Sequence, residues 1–188
     1  MSRILLGCAA SVAIYKACDL ASRLTRLGHE VRAVLTPRAA ELVAPQLFEA
    51  VTGQPAAVSE FGPTRRAAMD HIELARFGEI CVLAPATADL AARVALGLAD
   101  DLLCTVVLAL PSGTPRLFCP AMNPHMLEQP AVVRNLERLA EDGWQIVEPG
   151  VGVLACGDEG SGRLAEPETI VERVLAALRA ASGDAGPA

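Results

Sequence analysis

Three short segments of this 188-residue chain carry side chains suited to chemistry on a small polar molecule. They are Asp70-His71-Ile72-Glu73-Leu74, Pro120-Ala121-Met122-Asn123-Pro124-His125-Met126, and the stretch Ala155–Arg163 with the sequence ACGDEGSGR. The first offers an imidazole, whose unperturbed pKa of about 6.5 suits proton transfer at neutral pH. The second offers a neutral amide in a proline turn, and the third offers a thiol in a glycine-rich loop. Together these groups predict a site that binds and acts on a small polar ligand.

The residues alone also allow a structural role for each of these groups. A histidine beside a predicted helix start, such as His71, is more often structural. The Asn123 amide has donors and acceptors enough to hold a carboxylate without adding charge, but an asparagine before a proline often stabilises only its own turn. Cys156 lies among glycines and charges, where a thiol adds little to packing. It is either a reactive group or an unreactive loop residue.

Hydroxyl groups follow two of the predicted strands. Ser11 lies between the first strand and a helix start, where free N–H groups and the helix dipole favour an anion. Its hydroxyl is therefore either an N-cap, which the residues alone favour, or a phosphate ligand. Thr87 is placed to cap a helix that runs through Leu96, and a cap at a strand end also borders the expected pocket.

Composition excludes several classes of function. Hydrophobic residues make up 52% of the chain, but no apolar stretch reaches the roughly 20 residues that span a bilayer, and no signal peptide is recognisable, so we expect a soluble cytoplasmic protein. The net charge of -6 without a block of Lys or Arg argues against nucleic-acid binding. Six cysteines without paired spacing argue against a disulfide framework and a zinc site. We expect neither a metal nor a membrane partner.

Strand-like and helix-like segments alternate along the chain. The predicted strands are Arg3–Cys8, Val31–Leu35, Ile80–Leu83, Arg116–Cys119 and, last, Trp144–Val147; the predicted helices are Val12–Leu27, Ala39–Val51 with an interruption near Pro45, Thr87–Leu96, Asp100–Leu110, Pro130–Glu141 and Pro167–Ala180. Residues 53–68 are expected to be irregular and residues 150–166 to form a loop. This alternation predicts an α/β fold with one doubly wound parallel sheet between helices, Rossmann-like or flavodoxin-like, over residues 1–181, with a disordered tail over 182–188. Ligands of such sheets bind at the carboxyl ends of the strands.

The three segments, in this order and after an N-terminal βα unit, resemble the homo-oligomeric flavin-containing cysteine decarboxylases. The resemblance runs from about Arg3 to about Leu178, and its specific strings are Pro-x-Met-Asn-x-x-Met and Ala-Cys-Gly-x-x-Gly-x-Gly-Arg. It implies FMN as cofactor and the decarboxylation of phosphopantothenoylcysteine to phosphopantetheine in coenzyme A biosynthesis, through a thioaldehyde and an enethiolate. It also implies a homo-oligomer, a trimer or an assembly of trimers, with FMN near a subunit interface. We expect no fused synthetase domain, because no chain is left for one.

The resemblance implies a role for particular residues. His71 is the expected base or thiolate-orienting group, Asn123 the group that holds the substrate carboxylate, and Cys156 the acid that protonates the enethiolate. The substrate is expected to contact Met122, Asn123, Ala155, Gly157 and Arg163, and FMN to contact Ala10, Ser11, Thr36, Thr87, Ala88 and Asp89. Two positions depart from the family: Asp89 stands where many relatives have Asn, and Leu127 where relatives commonly have Trp.

Two other functions remain open. One is the decarboxylation of C-terminal cysteines of peptides, which uses the same His and Asn but usually a different segment over the substrate. The other is a flavin-binding regulatory role without catalysis, against which the presence of His71, Asn123 and Cys156 weighs. Flavin prenyltransferases share the predicted architecture but are not expected to carry the Met-Asn turn together with the cysteine segment.

Overall fold

The structure is a computed structural model that describes residues 1–61, 69–153, 157 and 159–183. The strands are β1 (Arg3–Cys8), β2 (Glu30–Leu35), β3 (Ile80–Ala86), β4 (Arg116–Pro120), β5 (Gln145–Ile146), β6 (Gly150–Val153) and β7 (Glu159–Arg163). The helices are α1 (Ile14–Arg26), α2 (Pro37–Leu42), α3 (Pro45–Thr52), α4 (Asp70–Phe77), α5 (Ala88–Leu96), α6 (Leu102–Leu108), α7 (Pro124–Leu127), α8 (Pro130–Glu141) and α9 (Pro167–Ala181). The expectations for Ala155, Cys156 and tail residues 184–188 lie outside the described residues.

Five strands form a parallel sheet in the order β2-β1-β3-β4-β5. The register places Leu6 of β1 between Ala33 of β2 and Val82 of β3. Strand β3 is buried at every residue because helices cover both faces of the sheet. After β1 the chain places β2 on one side of β1 and then β3 on the other side. The direction in which strands are added to the sheet therefore reverses at β1. Such a point is where doubly wound sheets bind ligands, and the predicted fold class is confirmed.

Two apolar cores hold the sheet, one on each face. Neighbouring residues of β1 point to opposite faces, so Leu6 packs with Leu20 of α1 and Val174 of α9, whereas Leu5 packs with Leu103 of α6. All five side chains have no exposed surface. Full burial of such a side chain contributes about 1.5–3 kcal/mol, so the strand ends are carried on a well-packed scaffold. Among the helices of the described ranges, none combines the length and the apolar character needed to cross a membrane.

The C-terminal part differs from the predicted loop. Within residues 150–166, strands β6 and β7 form an antiparallel hairpin in which Gly152 pairs with Gly160 and Val153 with Glu159. Glycine is unfavourable in strands, so nothing in the residue types indicated this pairing. The predicted strand Trp144–Val147 is reduced to β5 and is not the last strand. At the other end of the chain, α1 begins two residues after its predicted start.

Candidate functional site

A cavity of about 700 Å³ lies at the carboxyl ends of β1, β3 and β4. The β1–α1 loop, the start of α1, the turn after β4 and the β6–β7 hairpin form its walls. The lining includes six of the predicted site residues: Ala10, Ser11, Thr87, Met122, Asn123 and Arg163. Its volume is within the range of about 300–1,000 Å³ that small-molecule sites occupy. Parallel strands therefore bring together residues that are up to 153 positions apart in the chain.

Five other predicted site residues in the described ranges do not line this cavity. They are Thr36, His71, Ala88, Asp89 and Gly157. The Thr36 side chain caps α2 by accepting a hydrogen bond from the Ala39 N–H at 3.1 Å, and it is buried. The Asp89 carboxylate is turned to the Arg93 guanidinium at 2.9 Å and is 65% exposed. In this chain Asp89 therefore forms an ion pair on the surface of α5.

Ser11 lies on the cavity wall and does not cap the helix. Its Oγ accepts a hydrogen bond from the Ala13 N–H at 3.3 Å, and its carbonyl accepts one from the Ile14 N–H at 2.9 Å. The N-cap of α1 is Ala13, which makes no side-chain cap, so the interpretation of Ser11 as N-cap is wrong. No described residue other than glycine has a positive φ. Ala9 and Ala10 therefore fit this loop without backbone strain.

Thr87 both caps a helix and borders the cavity, as predicted. Its Oγ1 accepts a hydrogen bond from the Leu90 N–H at 3.3 Å and so caps α5, and the residue also lines the cavity. Next to it, the Ala121 N–H donates to the Ala86 carbonyl at 2.9 Å. This hydrogen bond joins the ends of β3 and β4 and brings the Met-Asn turn beside Thr87.

The Met-Asn turn is ordered by its own asparagine. Asn123 is the N-cap of α7, and its Oδ1 accepts a hydrogen bond from the His125 N–H at 2.8 Å. The carbonyl side of the amide is thus engaged in the turn, and the NH₂ side is the part that can donate to a carboxylate. The local-turn role and the ligand role predicted for this residue are compatible.

Strand β7 lies backbone against backbone on this turn. The Met122 N–H donates to the Gly162 carbonyl at 3.0 Å. A Cβ on Gly162 would lie 2.2 Å from the Met122 carbonyl oxygen, and one on Gly160 would lie 3.0 Å from Cγ of Pro124. Two glycines of the third segment therefore have a packing role: they let the hairpin approach the turn. Gly157, between the two strands of the hairpin, has a φ of +91°, and no atom of the described residues lies within 4 Å of such a Cβ.

His71 lies in the first turn of α4, and its Nδ1 contacts Oε1 of Glu60. The two side chains are 23% and 20% exposed. A neutral imidazole that donates its Nδ1–H to a carboxylate presents Nε2 as a base, which is the arrangement of an oriented general base. Sequence analysis missed Glu60, because it lies 11 residues before the histidine in a segment without periodicity.

Lys16 is a second residue that sequence analysis missed. It lines the cavity with its side chain only 10% exposed, and its Nζ lies 2.8 Å from Oε1 of Glu166. That same oxygen lies 3.5 Å from the Arg163 guanidinium. The hydrogen bond from Lys16, together with the charges of Lys16 and Arg163, lowers the pKa of the Glu166 carboxyl. No local pattern connects Lys16 with a partner 150 residues away.

A separate ionic cluster lies at the start of α6. The Arg93 guanidinium contacts Asp101 at 2.6 Å and Asp100 at 2.8 Å. Cys104 lies near both carboxylates, so the three acidic groups have the spacing of metal ligands. Burial raises the pKa of the Cys104 thiol to about 12, with the Asp101 charge adding to the effect. The thiol is therefore protonated at neutral pH, and both carboxylates are engaged in ion pairs with Arg93.

Comparison with known proteins gives relatives over nearly the whole chain. A family profile described as Flavoprotein matches residues 1–179. The Coenzyme A biosynthesis bifunctional protein CoaBC of Vibrio vulnificus (strain YJ016) is 44% identical over 169 residues, which are 90% of this chain and 42% of that protein. This chain therefore spans about two fifths of the length of that relative.

Solved structures with the same architecture cover the described fold. The FMN-dependent cysteine decarboxylase SpaF has a TM-score of 0.81 at 31% identity, over 97% of this chain and 98% of that one. A Cys-to-Ser variant of PPC decarboxylase complexed with pantothenoylaminoethenethiol has a TM-score of 0.78 at 32% identity, over 93% of this chain and 97% of that one.

Proposed function

This chain belongs to the Flavoprotein family, and on that basis we propose that it is an FMN-dependent decarboxylase that converts phosphopantothenoylcysteine to phosphopantetheine. The observation that carries the proposal is the cavity at the strand ends, which brings together Ser11, Thr87, Asn123 and Arg163. Ser11, Thr87 and Asn123 follow β1, β3 and β4, at the strand ends where a doubly wound sheet binds its ligand, and Arg163 is the last residue of β7. The names of the relatives support this reaction over the other chemistries that the fold hosts.

The residues present fit a phosphorylated flavin. Within the described lining, Lys16 and Arg163 are cations and no residue is acidic, so the cavity attracts an anion. Ser11 adds a hydroxyl at the start of α1, where the helix dipole favours negative charge. The chain has no G-x-G-x-x-G string, the fingerprint for a dinucleotide, which favours FMN over FAD. When bound, FMN would supply reversible two-electron chemistry: it would accept a hydride from the substrate, which makes loss of the carboxylate as CO₂ feasible, and would return that hydride to give phosphopantetheine.

The side chains have separate tasks in this proposal. Asn123 holds the substrate carboxylate through its NH₂ group until CO₂ leaves, without adding a charge that would stabilise the bound acid. His71, oriented by Glu60, moves the proton of the substrate thiol. Cys156, which lies outside the described residues, returns a proton to the product enethiolate.

We further propose that the active unit is a homo-oligomer, a trimer or an assembly of trimers, in which a second copy brings His71 to the cavity. Two observations support this arrangement. His71 does not line the cavity of its own chain. The cavity rim exposes Val12, Tyr15 and Val153, each at more than 60% of its surface, and a second copy would cover these apolar side chains.

A cytoplasmic location is part of the same proposal. The five cysteines in the described ranges are all free thiols, as is usual in a reducing compartment.

The test of the reaction is direct. Purified protein reconstituted with flavin should release FMN on denaturation and should convert phosphopantothenoylcysteine to phosphopantetheine with release of CO₂, followed by mass spectrometry. Release of FAD would overturn the cofactor. Turnover of a peptide with a C-terminal cysteine, without turnover of phosphopantothenoylcysteine, would favour the peptide reaction, and absence of both would favour a regulatory protein.

Subunit complementation tests the shared site. His71→Asn and Asn123→Asp should each be inactive, because the first lacks the base and the second sets a negative charge against the substrate carboxylate. If His71 acts in the cavity of a neighbouring copy, mixed oligomers of the two variants contain some intact sites and recover part of the activity. Mixtures that stay inactive after verified subunit exchange would show that His71 acts within its own chain.

A further inference from the structure

One of the two cations that make the cavity attractive to an anion has been assigned no contact with a particular ligand group. Lys16 is the third residue of α1, and its side chain is nine-tenths buried on the cavity wall. Its Nζ is held by Glu166, the residue directly before α9. A buried ammonium without a counter-charge is strongly unfavourable, so the Glu166 carboxylate is what allows a lysine at this position.

The counter-charge is shared and lies behind the wall. The same oxygen of Glu166 faces both Lys16 and Arg163, so the three groups together carry a net charge of about +1. Glu166 is 58% exposed and does not line the cavity, whereas both cations do. The described wall is therefore electropositive beside Lys16 and Arg163.

The donors at this place match a phosphate. An ammonium has three N–H donors, and within the described residues the acceptor of Nζ is Glu166. A guanidinium adds a planar fork that suits phosphate oxygens. A phosphomonoester, with three acceptor oxygens and a charge close to −2, uses both cations, whereas a substrate carboxylate is already served by the neutral Asn123 amide. We propose that Lys16, together with Arg163, binds a phosphomonoester group in the cavity and thereby determines specificity for phosphorylated ligands.

The proposal rests on the proposed function in one respect, since that function supplies two phosphomonoesters, FMN and the phosphopantothenoyl substrate. The chemistry at Lys16 is the same for both. The experiment therefore has two arms, each of which compares a phosphorylated ligand with its unphosphorylated counterpart.

In the first arm, dissociation constants of FMN and riboflavin are measured by flavin fluorescence for the wild-type protein and Lys16→Met. In the second arm, phosphopantetheine and pantetheine are compared by calorimetry. Loss of a charge-assisted hydrogen bond should weaken the phosphorylated ligand of one pair by about tenfold to hundredfold. The unphosphorylated ligand of that pair should bind to Lys16→Met as tightly as to the wild-type protein. The pair in which only the phosphorylated ligand binds more weakly identifies the source of the phosphate.

Arg23→Met is the matched control. The Arg23 guanidinium contacts Glu168 at 2.9 Å and so joins the same two helices, α1 and α9, but Arg23 does not line the cavity. This variant should leave both affinity ratios unchanged. If Lys16→Met does not fold, the same affinity ratios are measured for Arg163→Gln. The Arg163 side chain is 39% exposed, so its replacement disturbs the packing less.

The proposal would be overturned if Lys16→Met weakened both ligands of each pair equally, or weakened none of them. Either result would show that Lys16 only joins α1 to the residue before α9. These ratios do not depend on turnover. A wild-type protein that binds the ligands but releases no CO₂ would overturn the proposed function and leave the Lys16 result valid, whereas a wild-type protein that binds neither pair would overturn both.

Discussion

Replacing Gly162 by alanine should separate the β6–β7 hairpin from the Met-Asn turn. The new Cβ would lie 2.2 Å from the Met122 carbonyl oxygen, and ordinary contact requires β7 and the Met-Asn turn to move apart by roughly 1 Å. The φ of +144° is also a conformation that alanine rarely adopts, at a cost of about 1–3 kcal/mol. The movement breaks the 3.0 Å hydrogen bond from the Met122 N–H, which contributes about 1 kcal/mol.

The sum is a destabilisation of about 2–4 kcal/mol, which for a domain of this size corresponds to a melting temperature lower by about 4–16 °C. Activity should fall as well, because Asn123 directly follows the displaced residue and a shift of about 1 Å in a positioning group costs on the order of 100-fold. Differential scanning fluorimetry and steady-state kinetics with phosphopantothenoylcysteine measure the two effects.

Gly150→Ala is the control within the same hairpin. A Cβ at Gly150 has no neighbour closer than 3.8 Å, and its φ is not positive, so this variant should match the wild type in both measurements. If Gly162→Ala behaves like Gly150→Ala in melting temperature and turnover, the close approach of hairpin and turn does not position Asn123 and the reasoning is refuted.

Three further changes test other parts of the molecule. His71→Asn should abolish CO₂ release while FMN stays bound, because it removes a proton-transfer group that is not part of the cavity wall; loss of flavin would contradict this. Cys156→Ser should release CO₂ but accumulate a product two hydrogens lighter than phosphopantetheine, since a serine hydroxyl is a weaker acid than a thiol; normal product in the mass spectrum would remove Cys156 from the mechanism. Asp101→Ala should lower the free energy of unfolding by about 1–3 kcal/mol, because it removes the cap on the Cys104 N–H at 2.8 Å and one of the three carboxylates that contact Arg93. Asp101→Asn keeps the cap and should lower the free energy of unfolding by less than Asp101→Ala does. If chemical denaturation gives the same decrease for both variants, the whole effect comes from the lost charge.

The fold could be predicted because its signals are local. Strands β1 and β3 are continuous apolar runs, which indicate strands buried on both faces, and Thr87 stands where a helix must begin. Alternation of such strands with amphipathic helices requires a parallel sheet, and a parallel sheet places all loops after its strands at one edge. The position of Ser11, Thr87 and Asn123 around one cavity follows from that geometry.

The hairpin could not be predicted, because its strands consist largely of glycine. Gly152 and Gly160 pair without side chains that favour a strand, and what holds them is the close packing of β7 on the Met-Asn turn. That packing depends on the position of β4, which is set by the whole sheet. The residue types of the third segment indicated a loop, whereas the structure places two of its glycines in close contact with the Met-Asn turn.

By itself, the sequence determined the order of the five strands of the parallel sheet, the edge of the sheet at which a ligand is expected and the groups able to take part in chemistry there, since each of these depends on residue type and short spacing. Only the tertiary structure decided which charges meet. The contacts of Lys16 with Glu166 and of His71 with Glu60 join single polar side chains from distant segments, and such pairs leave no periodic pattern in a chain. An ion pair depends on a distance of a few ångströms, and this distance exists only after the apolar cores have brought the distant segments together.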